Sequence, residues 1–483
     1  METISTMITQ SKNDSKNRIL TIFEKQKQNL QNLKSTSVKD RKKKLITLKK
    51  TIFSHREQLQ KAIYLDFKKP ATETDISEIY PTIAELKHTI KNVSHWAQDM
   101  EVETPITLLG SSSFVKYEPK GNTLIITPWN YPIFLSLSPI ISAIAAGNAV
   151  ILKPSEFTPY TNVAIKNLLL AVFPENELAV IEGDYTVSGE LLQLKFNHIH
   201  FTGSSTVGKV IMKEAANHLA SCTLELGGKS PSIVDETANL KEAATKIVWG
   251  KYLNEGQTCI APDYILIQAA VKVKFIAFVK NEIEKKYGDT DLKRIESNNL
   301  CRIINDKNYK RLKTLLKTST LNNGKIEYGA TFDDSDRYIS PTIISDISLT
   351  DELMNEEIFG PIMPIVSYEN IEEAIALVNT KEKPLALYIF SKKKKTIHKI
   401  LNETSSGGVC INEVLLHITN PNLPFGGINN SGIGKSHGKW GFIDFSNEKA
   451  ILKQHVPFGA AQLLYPPYSK LTNKLIELTM KWF

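Results

Sequence analysis

The chain has 483 residues, 42% of them hydrophobic and 23% charged, which is typical of a soluble globular protein and long enough for two or three domains. No apolar run approaches the roughly 20 residues that span a bilayer, so the composition excludes an integral membrane protein. The formal net charge of +8 comes largely from lysines at 39–50 and 391–399, and their interleaving with apolar residues favours solvated helix faces over a nucleic-acid surface.

The opening segment, 1–15, has neither an apolar core nor a small-residue cleavage site. We therefore expect a disordered N-terminus rather than a signal peptide, and a cytoplasmic protein. The cysteines are few and widely separated, without the spacing of metal ligands, which indicates a reducing compartment, no metal site and free thiols. They are Cys222, Cys259, Cys301 and Cys410.

Residues 16–99 carry Leu and Ile at helical spacing and predict a helical opening, and 100–119 predict an extended arm or hairpin. From residue 120 onward, short apolar runs alternate with helical segments of a dozen residues. This alternation predicts a Rossmann-like, doubly wound α/β domain whose parallel strands are buried on both faces. After 224 the pattern restarts and predicts a second α/β domain over 225–420, followed by 421–470 and a short tail at 471–483.

Four polar or glycine-containing stretches are predicted at the ends of strands, where α/β proteins place their ligands. They are "TPWNYP" (127–132), "FTGSSTVGK" (201–209), "LELGGKSP" (224–231) and "GQTCIAPD" (256–263). Gly203 and Gly208 would let the backbone approach a pyrophosphate at a helix N-terminus, although a structural turn explains them equally well. Cys259 by itself is either a nucleophile or a core cysteine, but a core cysteine would more naturally lie in an apolar run.

Taken in order, seven motifs resemble the aldehyde dehydrogenase superfamily, and several look most like its class 3 branch. They are "PWNYP", "GNAVILKPSE", "FTGSSTVG", "LELGGKSP", "GQTCIAPD", "EEIFGP" and "LPFGGINNSGIGKSHG". The resemblance implies NAD(P)-dependent oxidation of medium-chain, long-chain or aromatic aldehydes by a homodimer. It also implies an NAD-binding domain at 16–99 and 120–224, a catalytic domain at 225–420, and oligomerisation segments at 100–119 and 421–470.

The same resemblance implies three catalytic residues. Cys259 matches the nucleophile, whose attack on an aldehyde gives a thiohemiacetal that can expel hydride and leave a thioester. Asn130 matches the side-chain donor to the oxyanion, which the backbone N–H of the cysteine also stabilises. Glu225 matches the base that activates water to hydrolyse the thioester, so we expect a free carboxylic acid as product.

For the cofactor, the resemblance assigns Lys153 and Glu156 to the adenosine ribose and Glu357 and Phe359 to the nicotinamide ribose and ring. The remaining expected cofactor contacts are Trp129, Gly203, Ser204 and Gly208. A carboxylate at Glu156 should repel a 2′-phosphate, so we expect a preference for NAD, although class 3 relatives with this glutamate also accept NADP.

Three alternatives stay open. An acylating relative would pass the acyl group to coenzyme A, which Glu225 disfavours; a catalytically silent relative is disfavoured because every catalytic group is present. A cysteine hydrolase is disfavoured because no histidine lies near Cys259 in the sequence. The amphipathic tail is too short to span a membrane, and we expect it to pack against the body rather than rest on a membrane surface.

Overall fold

The computed structural model describes residues 2–457, 459, 462 and 465–482, with the backbone alone for 2–15. The chain opens with five helices: α1 (Glu2–Lys34), α2 (Val38–Ser54), α3 (Arg56–Phe67), α4 (Ala71–Thr74) and α5 (Tyr80–Trp96). The helical opening is therefore present. Residues 2–15, where we expected disorder, continue α1, and no Gly or Pro interrupts the helix in that stretch.

Two short strands follow, β1 (Met100–Val102) and β2 (Ser111–Pro119). They pair in antiparallel fashion, as the hairpin prediction required. The arm is completed by a strand from the other end of the chain, described below, and it carries partly exposed residues along β2.

The first large sheet has five parallel strands, β3 (Asn122–Ile126), β4 (Ala149–Lys153), β5 (Leu178–Val180), β6 (His198–Gly203) and β7 (Ser221–Leu226). Its crossover helices are α6 (Pro132–Ala146), α7 (Pro159–Leu170), α8 (Tyr185–Leu192) and α9 (Ser205–Ala216). Every residue of β3 and β4 is buried, because helices cover both faces of the sheet. Gly147 ends α6 with φ of 93°, a left-handed conformation that favours glycine.

The second sheet has seven strands: β8 (Pro231–Val234), β9 (Tyr264–Gln268), β10 (Lys325–Tyr328), β13 (Thr342–Ser345), β14 (Ile362–Tyr368), β15 (Ala386–Phe390) and β16 (Gly408–Ile411). A separate pair is formed by β11 (Phe332–Asp333) and β12 (Tyr338–Ile339). The sheet runs in the order β10-β13-β14-β9-β8-β15-β16 and is parallel except for the edge strand β10. Its helices are α10 (Leu240–Tyr252), α11 (Lys272–Tyr287), α12 (Asp291–Ile295), α13 (Asp306–Leu321), α14 (Glu352–Asn355), α15 (Ile371–Asn379) and α16 (Lys394–Glu403).

The chain crosses from the first sheet to the second between β7 and β8, so Glu225, where we expected the second domain to begin, is still in the first sheet. The last elements then return to the first half: β17 (Gly432–Ile433) pairs with β7, α17 (Gly438–Asp444) packs against α5 and α6, and β18 (Ser446–Gln454) joins β2 in the arm. The predicted fold class, two α/β units with a small β arm, is confirmed.

The final helix, α18 (Lys470–Trp482), is amphipathic and buries only Thr472 among its residues, while Leu475 and Ile476 are partly buried. Its other apolar side chains are exposed, so the packing expected for this tail is limited; they are Leu471, Leu478, Met480 and Trp482. Among the described residues, no helix combines the length and the apolarity needed to cross a bilayer.

Candidate active site

A cavity of about 470 Å³ lies between the two α/β units and reaches both Cys259 and Glu225. Its wall is mainly apolar and aromatic, from side chains that lie far apart in the sequence: Tyr131, Phe134, Leu135, Trp249, Leu415 and Phe425. Tyr131 and Phe425 lie inside motifs noted in the sequence, but the others carried no signal there, because any core apolar residue has the same local pattern. A long apolar space that ends on a thiol and a carboxylate suits a hydrophobic substrate with one reactive end.

Cys259 lies in a turn after α10 and before β9, rather than after a strand as we predicted. Its side chain is half-buried. Burial, together with the charges of Glu357 and Glu225, raises the pKa of the Cys259 thiol, whereas the backbone N–H groups of Cys259 and Ile260 lower it. The thiol is therefore protonated at rest. When it ionises, the backbone N–H groups of Cys259 and Ile260 stabilise the thiolate.

Glu225 is a buried carboxyl group on β7, with 6% of its surface exposed. Neither of its carboxylate oxygens has a hydrogen-bond partner among the described residues. Burial raises the pKa of Glu225 to about 8. A carboxyl group that ionises near neutral pH and lines a substrate cavity is suited to taking a proton from water.

Asn130 connects the loop after β3 to the loop that carries the cysteine. Its side-chain amide donates a hydrogen bond of 3.0 Å to the backbone carbonyl of Gln257, and Asn254 donates one of 2.9 Å to the backbone carbonyl of Asn130. The Gln257 side chain in turn donates to the Arg302 carbonyl and accepts from the Ile304 N–H. Sequence reasoning missed Gln257 as a positioning residue, although it lies inside the "GQTC" motif.

A second cavity, of about 390 Å³, lies on the other side of the site, and Glu357 contributes to its wall. Polar, basic and glycine residues line most of the rest: Ser205, Gly227, Gly228, Lys229, Lys381 and Lys383. A Cβ atom at Gly227 would lie 2.1 Å from Glu357 Oε2, so only glycine leaves this space open. The basic side chains and the N-terminus of α9 fit the phosphates of a dinucleotide, and so this chain has room for NAD(P) next to Cys259.

Five more residues were predicted to bind the cofactor, and they lie in loops, at the end of β6 or in the first turn of α9. Trp129 stands edge-on to Phe359, with ring centroids 5.5 Å apart, and Phe359 has a φ of 51°, which is uncommon for a residue other than glycine. Ser204 caps α9, accepting a hydrogen bond from Val207 N–H, and Gly203 ends β6. Gly208 has a packing role, since a Cβ atom there would lie 2.8 Å from Leu226.

Lys153 and Glu156 lie at the end of β4 and just beyond it. The ammonium group of Lys153 is 3.2 Å from the Glu156 carboxylate, and the lysine is buried while the glutamate is exposed. This pair is at the carboxyl edge of the first sheet, where the ribose of a dinucleotide is expected.

Comparison with known proteins agrees with this geometry. The aldehyde dehydrogenase family pattern matches residues 3–451. The chain is 42% identical to "Aldehyde dehydrogenase, dimeric NADP-preferring" of Rattus norvegicus, over 90% of this chain and 94% of that protein. It is also 42% identical to the 4,4'-diaponeurosporen-aldehyde dehydrogenase of Staphylococcus aureus, over 89% and 92% of the two chains. The solved structure of the substrate-bound state of Staphylococcus aureus AldH superimposes with a TM-score of 0.91 at 39% identity, covering 96% of this chain and 99% of that one.

Proposed function

Since this chain belongs to the aldehyde dehydrogenase family, in its class 3 branch, and is an oxidoreductase that acts on aldehydes with NAD(P), we propose that it converts hydrophobic aldehydes to free carboxylic acids through a thioester on Cys259. The observation that best supports the proposal is that Cys259 and Glu225 line one cavity whose wall is otherwise mainly apolar.

In the first half of the reaction, the Cys259 thiol releases its proton to solvent in the cavity, its sulfur attacks the carbonyl carbon, and the carbonyl oxygen becomes negatively charged. The Asn130 amide uses one N–H for Gln257, which leaves the other for this oxygen, together with the backbone N–H of Cys259. NAD(P)⁺ held by the residues of the second cavity would supply the acceptor for the hydride that leaves this carbon.

In the second half, water attacks the thioester carbon, the C–S bond breaks, and the leaving thiolate takes the proton of the carboxylic acid product, which departs as a carboxylate. Glu225 takes the proton from water, because it is a carboxyl group in the same cavity whose oxygens accept no close hydrogen bond from the described residues. A base in this position favours hydrolysis over transfer of the acyl group to coenzyme A.

The substrate is a medium-chain, long-chain or aromatic aldehyde. The wall of the 470 Å³ cavity is supplied mainly by apolar and aromatic side chains, and burying a hydrocarbon against them is worth roughly 0.8 kcal/mol per CH₂ group. The Staphylococcus aureus relative is named a 4,4'-diaponeurosporen-aldehyde dehydrogenase, which supports an aldehyde as the substrate at this site.

The cofactor is held by residues of both halves: Lys153 and Glu156 at the adenosine ribose, Ser204 and Gly203 near the pyrophosphate, and Trp129, Glu357 and Phe359 at the nicotinamide end. Most of these residues belong to the expected NAD-binding domain, 16–99 and 120–224, whereas Glu357 and Phe359 come from the expected catalytic domain, 225–420, which also carries Cys259. The exposed Glu156 carboxylate supports a preference for NAD, while the NADP-preferring relative keeps NADP as a second cofactor.

Assembly is expected through the arm, because β18 is an edge strand of the three-stranded sheet and exposes Leu452. Exposed strand edges pair readily with a second copy, and a dimeric relative supports a homodimer. The four cysteines are all free thiols, which fits a reducing cytoplasm. We assign no role to nucleic acid or to a membrane.

The decisive experiment replaces Glu225 with Gln, which keeps the shape but cannot take a proton. Steady turnover should fall by about 10²–10⁴-fold, the usual contribution of general-base catalysis. Stopped-flow mixing with an aliphatic aldehyde and NAD should still give a burst of NADH close to one per site, and mass spectrometry should find the acyl group on Cys259.

Two cysteine variants are the controls. Cys259→Ala should bind NAD but give neither burst nor acyl adduct, whereas Cys222→Ala should behave as the parent enzyme. Loss of the burst in Glu225→Gln would mean that Glu225 acts earlier, by deprotonating Cys259, and would contradict the division of roles. Turnover that depends on coenzyme A would instead identify an acylating enzyme.

A further inference from the structure

A row of polar side chains leads away from Glu225 along one face of the first sheet. The parallel register pairs Thr202 with Glu225, His200 with Thr223 and His198 with Ser221. Because alternate residues of a strand point to the same side, all six lie on one face. The residues between them point to the opposite face and belong to an apolar core, among them Ile199, Phe201 and Leu224.

The inner half of this row lines the substrate cavity, which reaches Glu225, Thr202 and His200. Each of these side chains is buried, and each has polar atoms without a protein partner: both Glu225 oxygens, Thr202 Oγ1 and His200 Nδ1. Buried polar atoms are normally satisfied, and where several lie together at the wall of a cavity, ordered water can satisfy them. The inner half is therefore suited to a short chain of water molecules.

The outer half is connected by direct contacts. His198 Nε2 lies 3.4 Å from Asp444 Oδ2, and the hydroxyl of Thr223 donates to the same oxygen. On its other side, His198 Nδ1 is 2.8 Å from Ser221 Oγ and 3.4 Å from the ammonium group of Lys120. The Asp444 side chain is 16% exposed and Ser221 is exposed, so this end reaches solvent.

The middle of the row brings together His198, His200 and Asp444, whose ligand-type atoms all lie within 4.8 Å of one another. Two histidines and a carboxylate can hold a transition metal. Here, however, the carboxylate already contacts Thr223 and His198, and the Lys120 ammonium beside His198 opposes a second positive charge. The contacts therefore favour movement of a proton over binding of a metal ion.

We propose that this row is the route by which the proton taken up by Glu225 leaves the active site. The inference rests on the proposed function, in which Glu225 accepts one proton from water each time a thioester is hydrolysed. The carboxylate must release that proton before the next turnover. Water beside Thr202 passes it to one ring nitrogen of His200, the other nitrogen releases a proton toward Asp444 and His198, and solvent receives it at Ser221 and Asp444.

His200 suits this role because a neutral imidazole accepts a proton at one nitrogen and releases one from the other. Burial lowers the pKa of His200 to about 3, so the ring is neutral at rest and holds the extra proton only in passing. Its ring stacks on Phe445 with centroids 5.9 Å apart, and because each transfer exchanges the protonated nitrogen, the ring must rotate before the next proton passes.

The test uses His200→Phe, which keeps a ring against Phe445, and His200→Ala, which leaves space for a small base. The burst of NADH with an aliphatic aldehyde should match the parent enzyme, while steady turnover should fall about 10- to 100-fold and the acyl enzyme should accumulate. Added imidazole should restore turnover in His200→Ala and not in His200→Phe. His218→Ala, a partly exposed histidine whose ring bonds only the Gln193 carbonyl, is the matched control and should be unaffected.

Normal turnover in both His200 variants would overturn the route, as would a lost burst or a failure of imidazole to rescue His200→Ala. Glu225→Gln distinguishes a wrong proton route from a wrong assignment of the base. If Glu225→Gln stops deacylation while the His200 variants turn over normally, the route alone is wrong; if Glu225→Gln also turns over normally, the proposed base is wrong and the route with it.

Discussion

The side-chain amide of Asn130 donates a hydrogen bond to the backbone carbonyl of Gln257, across 127 positions of sequence. This contact joins the loop after β3 in the first sheet to the loop that carries Cys259. Asn130 and Cys259, the proposed oxyanion donor and nucleophile, are thus linked by hydrogen bonds between the two α/β units, because Asn254 also donates to the Asn130 carbonyl.

Replacing Asn130 with Ala removes both this hydrogen bond and the donor to the developing oxyanion. We expect the rate of the NADH burst to fall about 10²–10³-fold, the usual cost of losing one such donor. NAD binding, followed by fluorescence, should change little. A burst rate equal to that of the parent enzyme would place Asn130 outside the reacting centre.

The pH dependence of deacylation should follow the ionisation of Glu225. Burial raises the pKa of Glu225 to about 8, and only the ionised form can take a proton from water. Deacylation should therefore accelerate as pH rises through about 8 and then level off, whereas a carboxyl with an ordinary pKa would give a flat profile above about pH 6. Decay of the acyl enzyme, measured after the burst, provides this profile, and Glu225→Gln should not show the rise.

Glu156 is expected to set the preference between the two cofactors. Its exposed carboxylate can accept hydrogen bonds from a ribose but repels a 2′-phosphate. Glu156→Gln should lower the KM for NADP relative to the KM for NAD, with kcat little changed. Glu372→Gln, at an exposed position of α15, is the control. An unchanged ratio of the two KM values would place Glu156 away from the ribose.

Glu255, four residues before Cys259, is 1% exposed, and neither of its carboxylate oxygens has a partner among the described residues. Burial raises its pKa well above the usual range, so the folded protein holds a proton there that the unfolded chain releases above about pH 4.5. The stability from this group is present at low pH and declines as pH rises toward the folded pKa.

Glu255→Gln copies the protonated form and removes that decline. We expect the free energy of unfolding in urea to be higher for Glu255→Gln than for the parent enzyme, and the difference to be larger at pH 8 than at pH 6. The difference should grow by up to about 1.4 kcal/mol per pH unit. Glu57→Gln, at an exposed position of α3, should show no such trend. A stability difference that does not change with pH would mean that Glu255 is ionised in the folded protein.

The sequence by itself determined the fold class and the chemistry. Alternation of apolar runs with helical segments is a local pattern, and it predicted both α/β units because parallel strands must be buried on both faces. The seven motifs, among them those that contain Cys259, Glu225 and Asn130, were enough to predict an aldehyde dehydrogenase through their resemblance to that family, which the family match over residues 3–451 confirms.

Only the tertiary structure decided how these parts meet. The sequence placed Glu225 at the start of the second domain, but pairing of β7 with β6 keeps it in the first sheet, and strand pairing is a long-range contact that no local pattern reports. Three other features also depend on contacts between distant parts of the chain. They are the apolar cavity, the hydrogen bond from Asn130 to Gln257, and the polar row from Glu225 to Asp444, which depends on the pairing of β6 with β7. Such neighbours are set by how the two sheets and their helices pack, and packing depends on the whole chain.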